Sequence, residues 1–115
     1  MSWILKGEIY LADLNPTVGS EISKTRPVLI VSNDINNNHA ATVTIVPVTS
    51  STEKIYPFEV FLPAGEGNLT SDQKAKANQI RTIDKLRLRK LFGKINQEKL
   101  RKTEQAILIH LGIEL

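Results

Sequence analysis

Residues Ser20 to Asn33 read SEISKTRPVLIVSN. Its centre, Val28-Leu29-Ile30-Val31, is an unbroken apolar run with Gly19-Ser20 before it and Asn33-Asp34 after it, which predicts a buried strand over Arg26–Ser32. Lys24, Thr25 and Arg26 stand at the mouth of that strand. Pro27 restrains the residue before it to extended backbone, so Arg26 is held at the strand's first position and not in a loop. A cation fixed on a rigid element suits a site. The other reading is a gatekeeping charge beside an aggregation-prone strand.

Working outward, Gly7–Leu14 (GEIYLADL) is a second apolar run, closed by Asn15-Pro16. Thr42–Thr49 (TVTIVPVT) is rich in β-branched residues, and Phe58–Leu62 (FEVFL) alternates apolar with polar, so both are expected strands. Pro47 inside the third has no amide proton to give, which places it at a sheet edge or a bulge. Lys74–Ile83 (KAKANQIRTI) alternates with period two. That pattern predicts one strand with Lys74, Lys76, Asn78, Ile80 and Thr82 on one face and Ala75, Ala77, Gln79, Arg81 and Ile83 on the other, although its Lys and Ala content also suits a helix. KLFGKI is a candidate short last strand. Asn96 can cap a helix over Gln97–Leu111, in which Leu100, Thr103, Ile107, Leu108 and Leu111 share a face. Five or six strands followed by one amphipathic helix describe a mainly β fold, a small twisted and partly closed barrel with a helix packed on it. Tyr10 and Trp3 are expected in its core.

The chain has 115 residues, which predicts one domain over 1–115. With 41% hydrophobic and 23% charged residues it reads as globular. Its lack of cysteine excludes disulfide frameworks and thiolate metal sites. The only early apolar run, Trp3-Ile4-Leu5, is too short for a signal-peptide core, and no segment approaches membrane-spanning length, so the cytoplasm is the expected location. The net charge of +3 is mild, but nine of the fifteen basic residues lie between Arg81 and Lys102, opposed only by Asp84 and Glu98. A polyanion-binding surface and a solvated basic face are both open readings.

Few residues are equipped for chemistry. His39 and His110 are far apart and lack a carboxylate at ligand spacing, so no metal or other cofactor is expected. There is no nucleophile elbow, and the glycines of PAGEGN lack the Lys-Ser/Thr continuation of a phosphate loop. What remains is a set of polar groups at strand ends: Arg26, Thr49 with Ser50, Gln79 and Arg81.

Four ordered blocks, GEIYLADLNPTVGSE, KTRPVLIVSND, VPVTSS and NQIRTIDKLRL, resemble the MazF/PemK family of toxin endoribonucleases along nearly the full chain. The resemblance implies a conical SH3-like barrel that forms a homodimer and cuts single-stranded RNA without metal. It also implies a cognate antitoxin whose acidic, flexible segment lies over the RNA groove. The Arg of the TRP block and the Thr of the VTS block map the family's catalytic pair onto Arg26 and Thr49. The family chemistry is transesterification, in which the substrate's own 2′-hydroxyl attacks phosphorus and leaves a 2′,3′-cyclic phosphate and a 5′-hydroxyl end. A guanidinium suits the charge that gathers on the phosphorane oxygens. Because a guanidinium keeps its proton in proteins, charge stabilisation and proton donation fit Arg26 better than general-base work.

Glu21, Lys24, Ser50, Gln79 and Arg81 are the RNA-binding or supporting candidates, with Glu21 either orienting Arg26 or standing as an exposed loop acid. The chain departs from the family where members often carry an apolar stretch and an acid. Here stand Lys74, Lys76 and Asn78, whose Lys face is expected to meet solvent, RNA or a partner subunit. Two other classes compete: a non-catalytic toxin like the CcdB gyrase poisons, which share the fold, and an RNA-binding module without activity.

Overall fold

The computed structural model describes residues 3–114. The stretch quoted above forms β2 (Thr25–Ile30), which lies between β1 (Glu8–Asp13) and β3 (Thr42–Thr49). Its side chains leave alternately on two faces. Leu29 joins Ile9, Val46, Val48 and the helix residues Leu100 and Ala106 in one core cluster, while Val28 and Ile30 join Tyr10, Ala12, Val43 and Ile45 in a second. A strand buried on both faces has no solvent side, which is why its sequence is continuously apolar.

The remaining elements are α1 (Asp34–His39), β4 (Glu59–Leu62), β5 (Gln73–Lys76), β6 (Arg81–Asp84), β7 (Leu88–Lys94) and α2 (Gln97–Leu111). All pairings are antiparallel, in the order β4-β5-β3-β2-β1-β7, with β6 also on β3. Among the described residues no pairing joins β4 to β7, so the sheet is not closed by hydrogen bonding. Among the described residues no helix is long and apolar enough to cross a membrane.

Helix α2 has the bounds its sequence predicts. The Asn96 side chain accepts from Lys99 N at 2.8 Å, and Gly112, at φ +69°, ends the helix as Ile113 N bonds back to Leu108 O. Its buried line is Leu100, Thr103 and Ala106, whereas Leu111 is exposed. The Glu66 carboxylate receives Asn96 N at 2.6 Å and fixes the start of the helix against the 3₁₀ turn Glu66–Asn68. Within that turn Gly67 has φ +56°, and a Cβ there would lie 2.6 Å from Ile9 Cδ1, so the turn's backbone rests directly on β1.

Several expectations are corrected. Lys74–Ile83 is two strands, β5 and β6, divided by the 3₁₀ turn Ala77–Gln79, so strict alternation fails there. Pro47 explains where the break falls. It pairs with Val28 on one side of β3, while β5 covers only Val48–Thr49 and β6 only Thr42–Ile45 on the other. After β2 the Asn36-Asn37-Asn38 tract lies in α1, with the Asn33 side chain accepting from Asn36 N and Asn37 buried. Trp3 is 59% exposed and not a core residue, whereas Tyr10 is buried. Among the described residues the strands number seven, because β5 and β6 are separate and β7 is a full strand.

Candidate functional site

The ladder between β2 and β3 pairs Ile30 with Ile45, Leu29 with Val46 and Val28 with Pro47. Beyond Val28 and Pro47, the next residues on the same face are Arg26 and Thr49, on the side of the sheet away from α2. Arg26 pairs with Ala12 of β1, Thr49 with Lys74 of β5, and Lys74 with Phe61 of β4. One row thus crosses the sheet through Ala12, Arg26, Thr49, Lys74 and Phe61.

Arg26 is half-buried, and its Nε donates to Ser23 O at 2.9 Å. That bond fixes the plane of the guanidinium at the strand mouth. Among the described residues its Nη nitrogens form no ion pair, and by strand register the residues beside it on β3 and just beyond are a half-buried Thr49 and an exposed Ser50. A planar cation held by one nitrogen, with a hydroxyl across from it, is equipped to take two oxygens of a phosphate.

Lys74 is not a surface charge. Its ammonium lies 3.0 Å from Glu59 Oε1 and donates to Lys54 O at 2.9 Å, with the Lys74 side chain 9% and the Glu59 side chain 2% exposed. Glu59 also accepts from Tyr56 N at 3.0 Å, and Lys76 stands 3.9 Å from its other oxygen. The expected Lys face on solvent, RNA or a partner is therefore corrected at Lys74. The reason is cross-strand placement: Glu59 and Lys76 are register partners, and the loop before β4 folds over the carboxylate.

The loop from Leu14 to Lys24 is gripped from β6, from the 3₁₀ turn Lys85–Arg87 that precedes β7, and from the turn between β5 and β6. Arg81 Nη1 donates to Leu14 O at 3.2 Å, and Arg87 Nη1 donates to Asp13 O at 3.1 Å and to Asn15 O. Three successive carbonyls are thus held by two guanidiniums. Further along, Gln79 accepts from Ile22 N at 3.3 Å and donates to Ser20 O at 3.5 Å. Lys24 is exposed at φ +70°, with its N on Asn15 Oδ1 at 3.1 Å. Glu21 accepts from Val18 N at 2.7 Å and makes no ion pair with Arg26 among the described residues.

Glu21, Gln79 and Arg81 converge with Asn78 and Ile80 on a cavity of about 350 Å³. Asn78 Oδ1 is buried there without a hydrogen-bond partner among the described residues. The structure therefore groups the candidates in two places: Arg26, Thr49 and Ser50 where the β2–β3 ladder ends, and Gln79 and Arg81 beneath the loop that carries Glu21 and Lys24. Sequence reasoning missed Arg87 and the Glu59–Lys74 pair. An acid on the polar phase of FEVFL, opposite a strand with Lys on alternate positions, is the signal that points to the pair.

The chain matches the family model of the PemK-like, MazF-like toxin of type II toxin-antitoxin systems over residues 5–111. It is 41% identical over 113 residues to endoribonuclease MazF9 of Mycobacterium tuberculosis, covering 94% of this chain and 96% of that protein. The fold is similar to that of MazF from Deinococcus radiodurans, with a TM-score of 0.86 at 25% identity over 98% of this chain and 100% of the other. It is also similar to an endoribonuclease from a mycobacterial species in complex with its cognate antitoxin, with a TM-score of 0.77 at 28% identity over 100% and 99% of the two chains. With the family model and a relative of this identity both spanning almost the whole sequence, the chain belongs to the PemK-like, MazF-like family of type II toxins.

Proposed function

We propose that this chain is the toxin of a toxin-antitoxin pair and acts in the cytoplasm as an endoribonuclease on single-stranded RNA, without metal. The observation that carries the reading is the Arg26–Thr49 juxtaposition at one end of the sheet, in a chain of this family. In the proposed reaction the substrate's 2′-oxygen attacks the adjacent phosphorus as its proton passes to solvent water. The bond from phosphorus to the 5′-oxygen breaks, and that oxygen takes up a proton. The products are a 2′,3′-cyclic phosphate and a 5′-hydroxyl end.

The protein's part in this chemistry is electrostatic. The Arg26 guanidinium faces the equatorial oxygens as their charge grows, and Thr49 adds a hydroxyl hydrogen bond to the same group. Arg26 also holds protons that it can lend to the leaving oxygen. Lys24 and Ser50, both exposed near this pair, fit phosphate contacts, while Glu21, Gln79 and Arg81 support the loop beside it. The sheet is read as the conical, partly closed SH3-like barrel of the family. The chain is further proposed to work as a homodimer and to be silenced by an antitoxin with an acidic, flexible segment, as the toxin-antitoxin complex among its structural relatives suggests.

The test is incubation of the purified protein and its Arg26→Ala variant with long unstructured RNA in chelator, followed by mapping of cut positions and end groups. Specific cuts with 5′-hydroxyl ends, lost in the variant, are expected. RNA left intact across diverse sequences and salt conditions would overturn the reading.

A further inference from the structure

We propose that Tyr56 and Phe58 form a stacking platform for one unpaired nucleobase of the RNA, beside the phosphate position at Arg26 and Thr49. This inference rests on the ribonuclease reading above and adds a base-binding element to it.

The two rings are stacked, with centroids 5.4 Å apart and planes within 6°. They lie in the loop that joins β3 to β4, where Tyr56 is 42% exposed and its neighbours Ile55 and Pro57 are exposed as well. Only six residues of the chain are aromatic, so an ordered pair of them held at the surface is not surplus core. Parallel π surface open to water, with a cation beside it, is the construction on which single-stranded nucleic acids stack their bases. The cation is Lys54, whose ammonium lies 4.7 Å from the Tyr56 ring centroid. An incoming base takes over the face that Lys54 covers, and the flexible Lys54 stem carries its charge to the adjoining phosphate.

The platform is rigid because the buried carboxylate of Glu59 anchors it. Glu59 holds Tyr56 N, and its partner Lys74 holds Lys54 O, so the backbone on either side of Ile55 is bolted to β4 and β5. A preformed platform loses little conformational freedom when a base docks. Lys74 is in turn the register partner of Thr49, so the same residue joins the platform to the proposed catalytic row. The buried pair sets where the rings stand relative to the Thr49 hydroxyl.

The competing role for the rings is a roof that only shields the ion pair from water. Three variants separate the two: Tyr56→Ala, Tyr56→Phe, and Tyr56→Trp in a Trp3→Phe background, which makes position 56 the sole indole. For Tyr56→Ala, KM for a long mixed-sequence RNA is expected to rise about 5- to 100-fold with kcat little changed, as for other base-stacking residues. Tyr56→Phe retains near wild-type KM. The Tyr56→Trp emission is quenched by a 2′-O-methyl RNA of mixed sequence, which binds but cannot be cleaved. A Tyr56→Ala enzyme with a lowered melting temperature and an unchanged KM, or an indole that RNA does not quench, overturns the platform while wild-type cleavage still upholds the ribonuclease reading. Unchanged RNA cleavage with weakened neutralisation by an antitoxin overturns it too, because the rings then serve a protein partner. Wild-type protein that neither binds nor cuts RNA sinks both readings together.

Discussion

Arg26 and Thr49 are the first same-face residues beyond the Val28–Pro47 pair, the last pair of the β2–β3 ladder. The ladder ends there, so the two polar side chains flank an opening at the end of an otherwise apolar face. Each is expected to act on the same charge in the transition state. Arg26→Ala and Thr49→Ala should each lower single-turnover cleavage by about 10²- to 10³-fold, the range for loss of one oxyanion donor. The double variant should fall short of the product of the two, because neither group works fully without the other. Melting curves check that the fold is intact, and multiplicative losses would show that the residues act independently.

Arg87 holds the carbonyls of Asp13 and Asn15 through one nitrogen. A lysine ammonium rotates freely on a flexible stem and lacks the fixed guanidinium plane that aims the two Nη1 hydrogens at these carbonyls. Arg87→Ala and Arg87→Lys are therefore both expected to cost about 1–3 kcal/mol of stability, the range for charged hydrogen bonds, and to speed hydrogen exchange at Ile22 and Lys24. Wild-type exchange at those amides in Arg87→Ala would show that Gln79 and Arg81 hold the loop alone.

The strands that are apolar on one phase or both were legible because burial writes itself into the sequence. Thr42–Thr49 and Gln97–Leu111 have their expected limits, and the other early strands lie within two residues of theirs. KAKANQIRTI was misleading because its alternation continues through a 3₁₀ turn that only Pro47, on a different strand, makes necessary. Local periodicity does not register a partner's missing amide. The site shows the same division. Arg26 and Thr49 were visible as strand-end polar residues and through the family blocks. The clustering of Arg81, Arg87 and Gln79 on one loop, by contrast, depends on pairs separated by 57 to 74 positions. The basic stretch from Arg81 to Lys102 is accordingly not one face: Arg81 and Arg87 each turn Nη1 to backbone carbonyls, while Arg101 and Lys102 are exposed on α2.

The Glu59–Lys74 pair is nearly sealed from water, so removing one partner leaves the other desolvated. Lys74→Met is expected to cost about 3–5 kcal/mol, tempered by Lys76 at 3.9 Å from the same carboxylate. Glu59→Leu combined with Lys74→Met should recover most of that loss, since an apolar pair of similar volume needs no compensation. Urea denaturation of the two variants measures the difference. A double variant no more stable than Lys74→Met would mean that the pair's other bonds, to Tyr56 N and Lys54 O, carry its contribution.

Tyr10 gives the fold an alkaline limit. Its phenol is pushed up to about 12, first by burial, then by the charge of Glu8 and the hydrogen bond it donates to Glu8 Oε1 at 3.4 Å. In the unfolded chain a phenol ionises near ~10. Below about pH 10 both states are neutral at this residue, and its contribution to stability is intact. Between about 10 and about 12 the unfolded chain loses the proton while the folded chain keeps it, so each step upward in pH favours unfolding. Tyr10→Phe cannot ionise and lacks that slope. The stability difference between wild type and Tyr10→Phe, taken from urea midpoints, should therefore be constant up to about pH 10 and then move steadily in favour of the variant. A difference that stays flat to about pH 11.5 would show that the folded protein ionises Tyr10 as readily as the unfolded chain does.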